Sequence, residues 1–169
     1  MQLRKFKPDA PGGQALAAWH AALAEQRGDR AQLRRAADAT EAALVPATHR
    51  LIRALRDSDD SLSVERVPLL AMMLAQVKEI DSRKVLPLQL AQRAEGGERA
   101  AFSELRLRRL LQSEDREALC TDLRRAIAQL RGKADIYSLA ETIYFWGDPM
   151  RRAWSYDYFG ANDNPPNKA

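Results

Sequence analysis

The sequence predicts an all-α fold, either a compact helical bundle or two small packed bundles, and three observations support this prediction. Apolar residues recur at helical spacing along almost the whole chain, and no segment shows the sustained alternation of a β-strand. At 169 residues the chain is long enough to bury a core without disulfides or metals. Its one cysteine, Cys120, excludes an internal disulfide and is expected to be a buried thiol, as in a reducing cytoplasm.

We expect a flexible N-terminus at residues 1–13, followed by an N-terminal helical half at residues 14–94. The first helix has its core-facing residues at i, i+3, i+4 and i+7, namely Leu16, Trp19, His20 and Leu23. Asp29 is placed to cap a short second helix that carries Leu33. This half therefore begins with two consecutive helices.

Three further helices are predicted in the same half. Pro46 fits the first turn of the next helix, where the missing N–H of proline costs nothing. Ser63 can cap a helix from residue 64 to about residue 80, and residues 86–92 form another short helix. The segment Glu95-Gly96-Gly97-Glu98 is the clearest linker, so we place a boundary between two helical halves there.

The C-terminal helical half is expected at residues 98–160, before a disordered tail at residues 161–169 rich in Asn and Pro. Residues 102–112 form its first helix. The following helices begin at residues that favour helix N-termini, namely Ser113, Asp135 and Asp148-Pro149. Gly132 ends the long helix that Ser113 opens.

Arginine is clustered in this chain. Basic residues number 27 and acidic residues 23, which gives a net charge of +4. Four doublets each follow an apolar residue: Arg34-Arg35, Arg108-Arg109, Arg124-Arg125 and Arg151-Arg152. If the apolar neighbours anchor each helix to the core, the doublets project from its outer flank. Guanidinium offers a planar fork of donors that matches phosphate oxygens, so the pattern indicates binding to nucleic-acid backbone without reading of bases.

Sequence signatures of catalysis are missing. The chain contains no HExxH, GxGxxG, GxxxxGK[ST] or GxSxG motif, and His20 and His49 belong to no zinc-ligand spacing. Asp57, Asp59 and Asp60 resemble the acidic clusters that hold Mg²⁺ in nucleases, but they lie in a polar break where a solvated loop is the favoured interpretation. We therefore predict a protein that is not an enzyme and has no cofactor or metal.

Aromatic residues concentrate near the C-terminus, where they could stack on unpaired bases. Trp146, Trp154 and Tyr158 lie on helical stripes, which favours core packing, whereas Tyr156 and Phe159 could be surface contacts. The sequence also has neither a signal peptide nor an apolar run long enough for a transmembrane helix. A soluble, cytoplasmic protein without membrane contacts is expected.

Several motifs occur in a fixed order over residues 14–159. They are Trp19-x-x-x-Leu23 followed by Arg30-Ala31-x-Leu33-Arg34-Arg35, Phe102-x-x-Leu105 leading into Leu107-Arg108-Arg109-Leu110-Leu111, then Leu123-Arg124-Arg125, and a helix at 139–146 that ends in Trp146-Gly147. In this order and spacing the chain resembles the CasB family, the small subunit of the type I-E CRISPR surveillance complex called Cascade.

The resemblance implies an all-helical, non-catalytic subunit that binds nucleic-acid backbone without sequence specificity and stabilises the R-loop. The implied partners are crRNA, the target or displaced DNA strand, the CasC backbone subunits, the large CasA subunit and a second copy of the chain. An alternative is a protein-interaction scaffold whose Arg-rich faces dock acidic partner surfaces. The implied nucleic-acid-binding residues are Arg34, Arg35, Arg108, Arg109, Arg124 and Arg125, with weaker matches at Arg66, Arg99, Arg106 and Arg131. The Asp148-Pro149 start departs from more basic versions of the last helix, so Arg151 and Arg152 are not assigned this role.

Overall fold

The computed structural model describes residues 5–94 and 96–163, with side chains up to residue 161. The described residues form an all-α fold, as predicted. The helices are α1 (Pro11–Leu23), α2 (Arg27–Arg35), α3 (Ala39–Ala43), α4 (Pro46–Ser58), α5 (Val67–Leu74), α6 (Leu86–Ala91), α7 (Glu104–Leu111), α8 (Arg116–Gln129), α9 (Ile136–Tyr144) and α10 (Asp148–Asp163).

The helix starts follow the chemistry that the sequence offers. Pro46 occupies the first turn of α4, as predicted, and the Asp135 carboxylate accepts hydrogen bonds from two backbone N–H groups at the start of α9. The long helix α8 is capped by Asp115 and not by Ser113. Asp29 lies inside the first turn of α2, where it accepts hydrogen bonds from Ala47 N and Arg50 and so ties α2 to α4; its predicted capping role is wrong.

The helix predicted from residue 64 to residue 80 is shorter than expected. A 3₁₀ turn at Val64–Arg66 leads into α5, which ends at Leu74, and the chain then forms a strand, β1 (Glu79–Ile80). This strand pairs in parallel with β2 (Lys133–Ala134), which follows α8. Two residues are too few to show a strand periodicity, which is why the sequence does not reveal this pair.

The N-terminal segment packs onto the core instead of remaining flexible. Phe6 is fully buried, its N–H donates to Glu141 Oε1 at 2.6 Å, and its ring meets the Tyr144 ring edge-on. Helix α1 already begins at Pro11, and Gly13 lets the backbone approach so closely that a Cβ would lie 1.8 Å from the Lys7 carbonyl oxygen. The expectation of flexibility at residues 1–13 is therefore wrong from residue 5 onward, while residues 1–4 lie outside the described part.

The hydrophobic core is continuous across the linker at residues 95–98. Helix α5 is buried along its whole length and packs against helices of both halves, including α4, α8 and α9. Helix α6 packs on α10, and α1 packs on α9. The described residues thus form one bundle. The last helix extends to Asp163, beyond the expected end at residue 160, and the rest of the predicted tail, residues 164–169, lies outside the described residues.

Buried aromatic side chains are held by hydrogen bonds as well as by packing. Trp146 Nε1 donates to the Ser113 carbonyl at 2.9 Å, Trp154 Nε1 donates to Thr142 Oγ1 at 2.9 Å, and the Tyr158 hydroxyl donates to the Phe102 carbonyl at 2.6 Å. This confirms the core interpretation of these rings, whereas Tyr156 is 71% exposed. None of the helices in the described part of the chain combines the length and apolarity needed to cross a bilayer.

Candidate nucleic-acid interface

The arginines that the sequence assigns to nucleic-acid binding divide into an exposed set and an engaged pair. Arg66 and Arg124 are partly buried and donate hydrogen bonds to backbone carbonyls of distant segments. The others are exposed, namely Arg34, Arg35, Arg99, Arg106, Arg108, Arg109, Arg125 and Arg131.

Arg34 and Arg35 end helix α2. Leu33 beside them is fully buried and anchors this turn, while both arginine side chains are exposed. The Arg34 carbonyl accepts a hydrogen bond from Gln76 Nε2 at 3.2 Å, so the backbone that carries the doublet is fixed against the segment after α5. Positive charge at a helix C-terminus is favourable because the last carbonyls carry partial negative charge. The doublet is therefore a rigidly presented pair of cations.

The Arg124-Arg125 doublet splits. Arg124 turns inward, and its Nη2 donates to the carbonyl of Ala36, the residue that follows α2. The Arg125 side chain is 74% exposed and lies near Asp122 at 3.5 Å, an exposed contact between neighbours on one helix that contributes at most about 0.5 kcal/mol. Arg124 therefore joins α8 to α2, and Arg125 carries the exposed donors of this doublet.

Arg131 extends the basic surface along α8. It lies just beyond the end of the helix and has a positive φ of 57°, and the next residue, Gly132, has a φ of 78°. The Gly132 carbonyl accepts hydrogen bonds from the N–H groups of Lys78 and Glu79, so the exposed Lys78 lies beside this turn. Lys78 had not been predicted from the sequence, because only the pairing of β1 with β2 brings it here. We call Arg34, Arg35, Lys78 and Arg131 the α2–α8 group.

A second group lies on α7. Leu107 and Leu110 are fully buried, while Arg106, Arg108 and Arg109 are exposed; these three arginines are the α7 group. Arg108 pairs with Glu104 at 2.7 Å, with both side chains more than half exposed. A phosphate can displace such a pair, since exposed ion pairs are weak and a guanidinium binds phosphate through two parallel hydrogen bonds.

Arg66 lies apart from both groups. Its Nη1 donates to the Tyr144 carbonyl at 2.7 Å and its guanidinium stacks over the Tyr144 ring, with 5.1 Å to the ring centroid. Arg116 donates to the Ile143 and Tyr144 carbonyls, so two arginines satisfy the C-terminal carbonyls of α9. Burial, followed by the charge of Arg66, lowers the pKa of Arg116. The structure thus gives Arg66 a helix-capping contact.

Arg99 lies in the loop before α7. Its carbonyl accepts from Ala94 N at 3.0 Å, and Arg93 pairs with Ala100 in a short bridge across the same loop. Both arginine side chains are exposed. Arg93 is a further exposed basic residue of this loop, outside the set that the sequence motifs imply.

The groups that could support chemistry have ordinary structural contacts. Asp59, from the acidic cluster, accepts hydrogen bonds from the N–H and hydroxyl of Ser61 and pairs with Lys5. A ring nitrogen of His20 donates to the Val77 carbonyl at 2.7 Å, and burial lowers the pKa of His20. Burial raises the pKa of the Cys120 thiol to about 12. Among the described residues, no group of three or more His, Cys, Asp or Glu side chains is arranged to hold a metal ion.

Comparison with known proteins identifies the family of this chain. The family described as CRISPR-associated protein Cse2 matches residues 29–159. The chain belongs to the Cse2 family. The resemblance to the CasB small subunit that the sequence motifs indicated is thereby confirmed, and the match spans both arginine groups. A search of the curated proteins finds no match.

A solved structure shares the fold of this Cse2-family chain. It is described as "Crystal structure of E. coli Cascade bound to a PAM-containing dsDNA target (32-nt spacer)", and one of its chains superposes with a TM-score of 0.66 at 23% sequence identity. The alignment covers 92% of this chain and 98% of that chain. The two chains therefore share the helical fold over most of their length.

Proposed function

We propose that the chain is the non-catalytic small subunit of a CRISPR RNA-guided surveillance complex, where it binds nucleic-acid backbone without sequence specificity and stabilises the R-loop. Membership of the Cse2 family and the fold shared with a chain of a DNA-bound Cascade support this role. The observation that carries the proposal is the exposure of Arg34, Arg35 and the α7 group on helices whose neighbouring leucines are buried, together with the exposed Lys78 and Arg131 at the turn after α8.

The physical role follows from the energetics of R-loop formation. The RNA–DNA heteroduplex is about as stable as the DNA duplex that it replaces, so modest contacts to an opened strand can tip the balance. Guanidinium groups on rigid helices supply such contacts to phosphates of any sequence. The chain thus adds affinity for the opened strand and leaves sequence recognition to the guide RNA.

The proposal extends to partners and location. Within the complex the chain contacts crRNA, the target or displaced DNA strand, the CasC and CasA subunits and a second copy of itself, and it acts in the cytoplasm. The engagement of Asp59 by Ser61 and Lys5 supports a non-catalytic role, because this carboxylate belongs to a turn.

A salt titration of binding to single-stranded DNA tests the proposal. The logarithm of affinity should fall linearly with the logarithm of salt concentration, by about 0.7 per neutralised phosphate. Replacing both Arg34 and Arg35 with Ala should reduce the slope by up to about 1.4 and weaken binding to all sequences alike. A flat titration of the unmodified chain would refute backbone binding.

The double variant Arg53→Ala/Arg56→Ala is the matched control. Both residues are exposed on α4, outside the two arginine groups, and the loss of charge is the same. Equal weakening by the control would mean that net charge, and not the α2–α8 group, determines binding. Normal DNA binding by the Arg34/Arg35 variant together with failed assembly would instead favour docking onto acidic protein surfaces.

The same variants should act on the whole complex. Loaded with guide RNA, a complex that contains the Arg34/Arg35 variant should form a less stable R-loop at unchanged guide sequence, which permanganate footprinting of the opened strand measures. Cleavage of DNA by the isolated chain with Mg²⁺ would contradict the non-catalytic role.

A further inference from the structure

A groove of about 570 Å³ lies between the N-terminal segment, α9 and α10. Its walls are mostly apolar and include Phe6, Tyr137, Phe145, Met150 and Trp154. Exposed residues at its edge, such as Val85 and Ala153, leave it open to solvent. The volume falls in the range of sites that accept several side chains or a ligand, about 300–1,000 Å³.

The groove differs in charge from the rest of the molecule. The chain carries a net charge of +4, yet Lys7 is the one cation among the residues that line the groove, against three carboxylates. Two of these carboxylates serve the fold, because Asp135 caps α9 and Glu141 accepts the N–H of Phe6. An apolar surface with acidic groups repels phosphate, so the groove is unsuited to nucleic acid.

Asp157 is the third carboxylate of the groove, and it differs from the other two. It is half-buried on α10 and makes no hydrogen bond or ion pair with the described residues. Partial burial raises its pKa, and this effect is not offset by a cation among the described residues. A carboxylate drawn partly out of water beside apolar walls gains most from a cation that arrives with its own apolar stem, as Lys and Arg do.

We propose that this groove holds a segment of another protein subunit, which inserts apolar side chains between α9 and α10 and places a Lys or Arg beside Asp157. The inference rests on the proposed function, because the partner is a different subunit of the same complex. Apolar anchors seated in a pocket, with a desolvated charge pair at the edge, form the centre of a specific protein interface. The groove therefore faces protein, while the two arginine groups face nucleic acid.

Photocrosslinking identifies the occupant. Benzoylphenylalanine at Ala153, an exposed groove residue, is incorporated into the complex assembled from this chain, CasC, CasA and guide RNA. We expect a crosslink to a peptide of another subunit that has Lys or Arg next to apolar residues. The same probe at Ala18, exposed on α1 outside the groove, is the matched control and should give background crosslinking.

Affinity measurements on the same complex give a second readout. Ala153→Trp fills the groove and Asp157→Asn removes its free charge at nearly constant shape, so each should lower the affinity of the chain for the rest of the complex at least tenfold. Asp60→Asn makes the same chemical change at an exposed carboxylate outside the groove and should have no effect. Binding of the isolated variants to single-stranded DNA should stay within about twofold of the unmodified chain.

Two results would overturn this inference and leave the proposed function intact. One is normal assembly of both groove variants. The other is a crosslink from position 153 to nucleic acid, to a second copy of the chain, or to residues 1–4 or 164–169 of the same chain. Failure of the unmodified chain to join the complex would refute the proposed function, and with it this inference.

Discussion

The two residues of the Arg124-Arg125 doublet should respond differently to the same substitution. Arg124→Met keeps an apolar stem but removes the donor to the carbonyl of Ala36, a residue that is 3% exposed. A hydrogen bond from a charged donor to a buried acceptor contributes about 1.5–3 kcal/mol. The expected loss of about 2 kcal/mol corresponds to a fall in Tm of about 4–8 °C for a chain of this length.

Arg125→Met should leave stability nearly unchanged. The Arg125 side chain is 74% exposed and its contact with Asp122 is long, so the free energy of unfolding should change by at most about 0.5 kcal/mol. Its guanidinium is available to phosphate, so its loss should reduce the salt slope of single-stranded DNA binding by about 0.7. Arg124→Met should leave that slope unchanged, because its guanidinium is held on Ala36.

Thermal unfolding followed by circular dichroism and a salt titration below both transitions measure the two effects. Arg53→Met, at an exposed position on α4, controls for the loss of one charge and should change neither quantity. An unchanged Tm for Arg124→Met together with a reduced salt slope would mean that Arg124 is free in solution. The assignment of Arg124 as a contact between α8 and α2 would then be wrong.

Three further outcomes are expected. Gly13→Ala should lower the urea midpoint by the equivalent of about 3 kcal/mol, because its Cβ would collide with the Lys7 carbonyl, whereas Gly28→Ala, whose Cβ meets nothing within 4 Å, should leave it unchanged or raise it. Cys120, 1% exposed and with its pKa raised to about 12, should react with a thiol reagent at pH 8 only as fast as the protein opens. Asp157→Asn should raise Tm at pH 7 and have no effect below about pH 3. Burial raises the folded-state pKa of Asp157, so its contribution to stability is largest when the carboxyl is protonated and is lost as pH rises. The substitution leaves the other charged residues of the groove, Lys7, Asp135 and Glu141, in place.

The helices could be predicted because apolar spacing and capping residues lie within each helix or directly beside it. Apolar spacing located α1, α4, α8 and α9, and the cap at Asp135 was predicted from residue type and position. The end of α5 could not be predicted, because the chain leaves the helix after Leu74 to pair with a strand more than fifty residues away in sequence. Packing of residues 5–13 was missed for a similar reason. The missing side chains of Gly12 and Gly13 allow close contact with the carbonyls of Lys5 and Lys7, and the residue types alone do not reveal this contact.

At the candidate site, too, local sequence predicts some features and tertiary packing determines the others. An arginine beside a buried leucine projects outward, which local sequence reveals, and Arg34, Arg35, Arg108 and Arg109 are exposed as expected. Whether an arginine finds an internal acceptor depends on the tertiary fold. The carbonyl bound by Arg66 lies 78 residues away in sequence and the carbonyl bound by Arg124 lies 88 residues away, so no local pattern distinguishes these two from their exposed neighbours.

The engaged arginines share one physical role, which explains why arginine content overstates the binding surface. Their acceptors are carbonyls at or just beyond helix C-termini, where the helix leaves its last carbonyls without partners. Arg66 and Arg116 bind the end of α9, Arg124 binds the residue after α2, and Arg151 binds the Ser113 carbonyl after α7. Replacing any of them should lower the stability of the scaffold that holds the exposed arginines, so DNA binding measured near the unfolding transition would weaken although no phosphate contact is lost. An arginine scan assigns the nucleic-acid interface correctly only when each loss of affinity is compared with the loss of stability in the same variant.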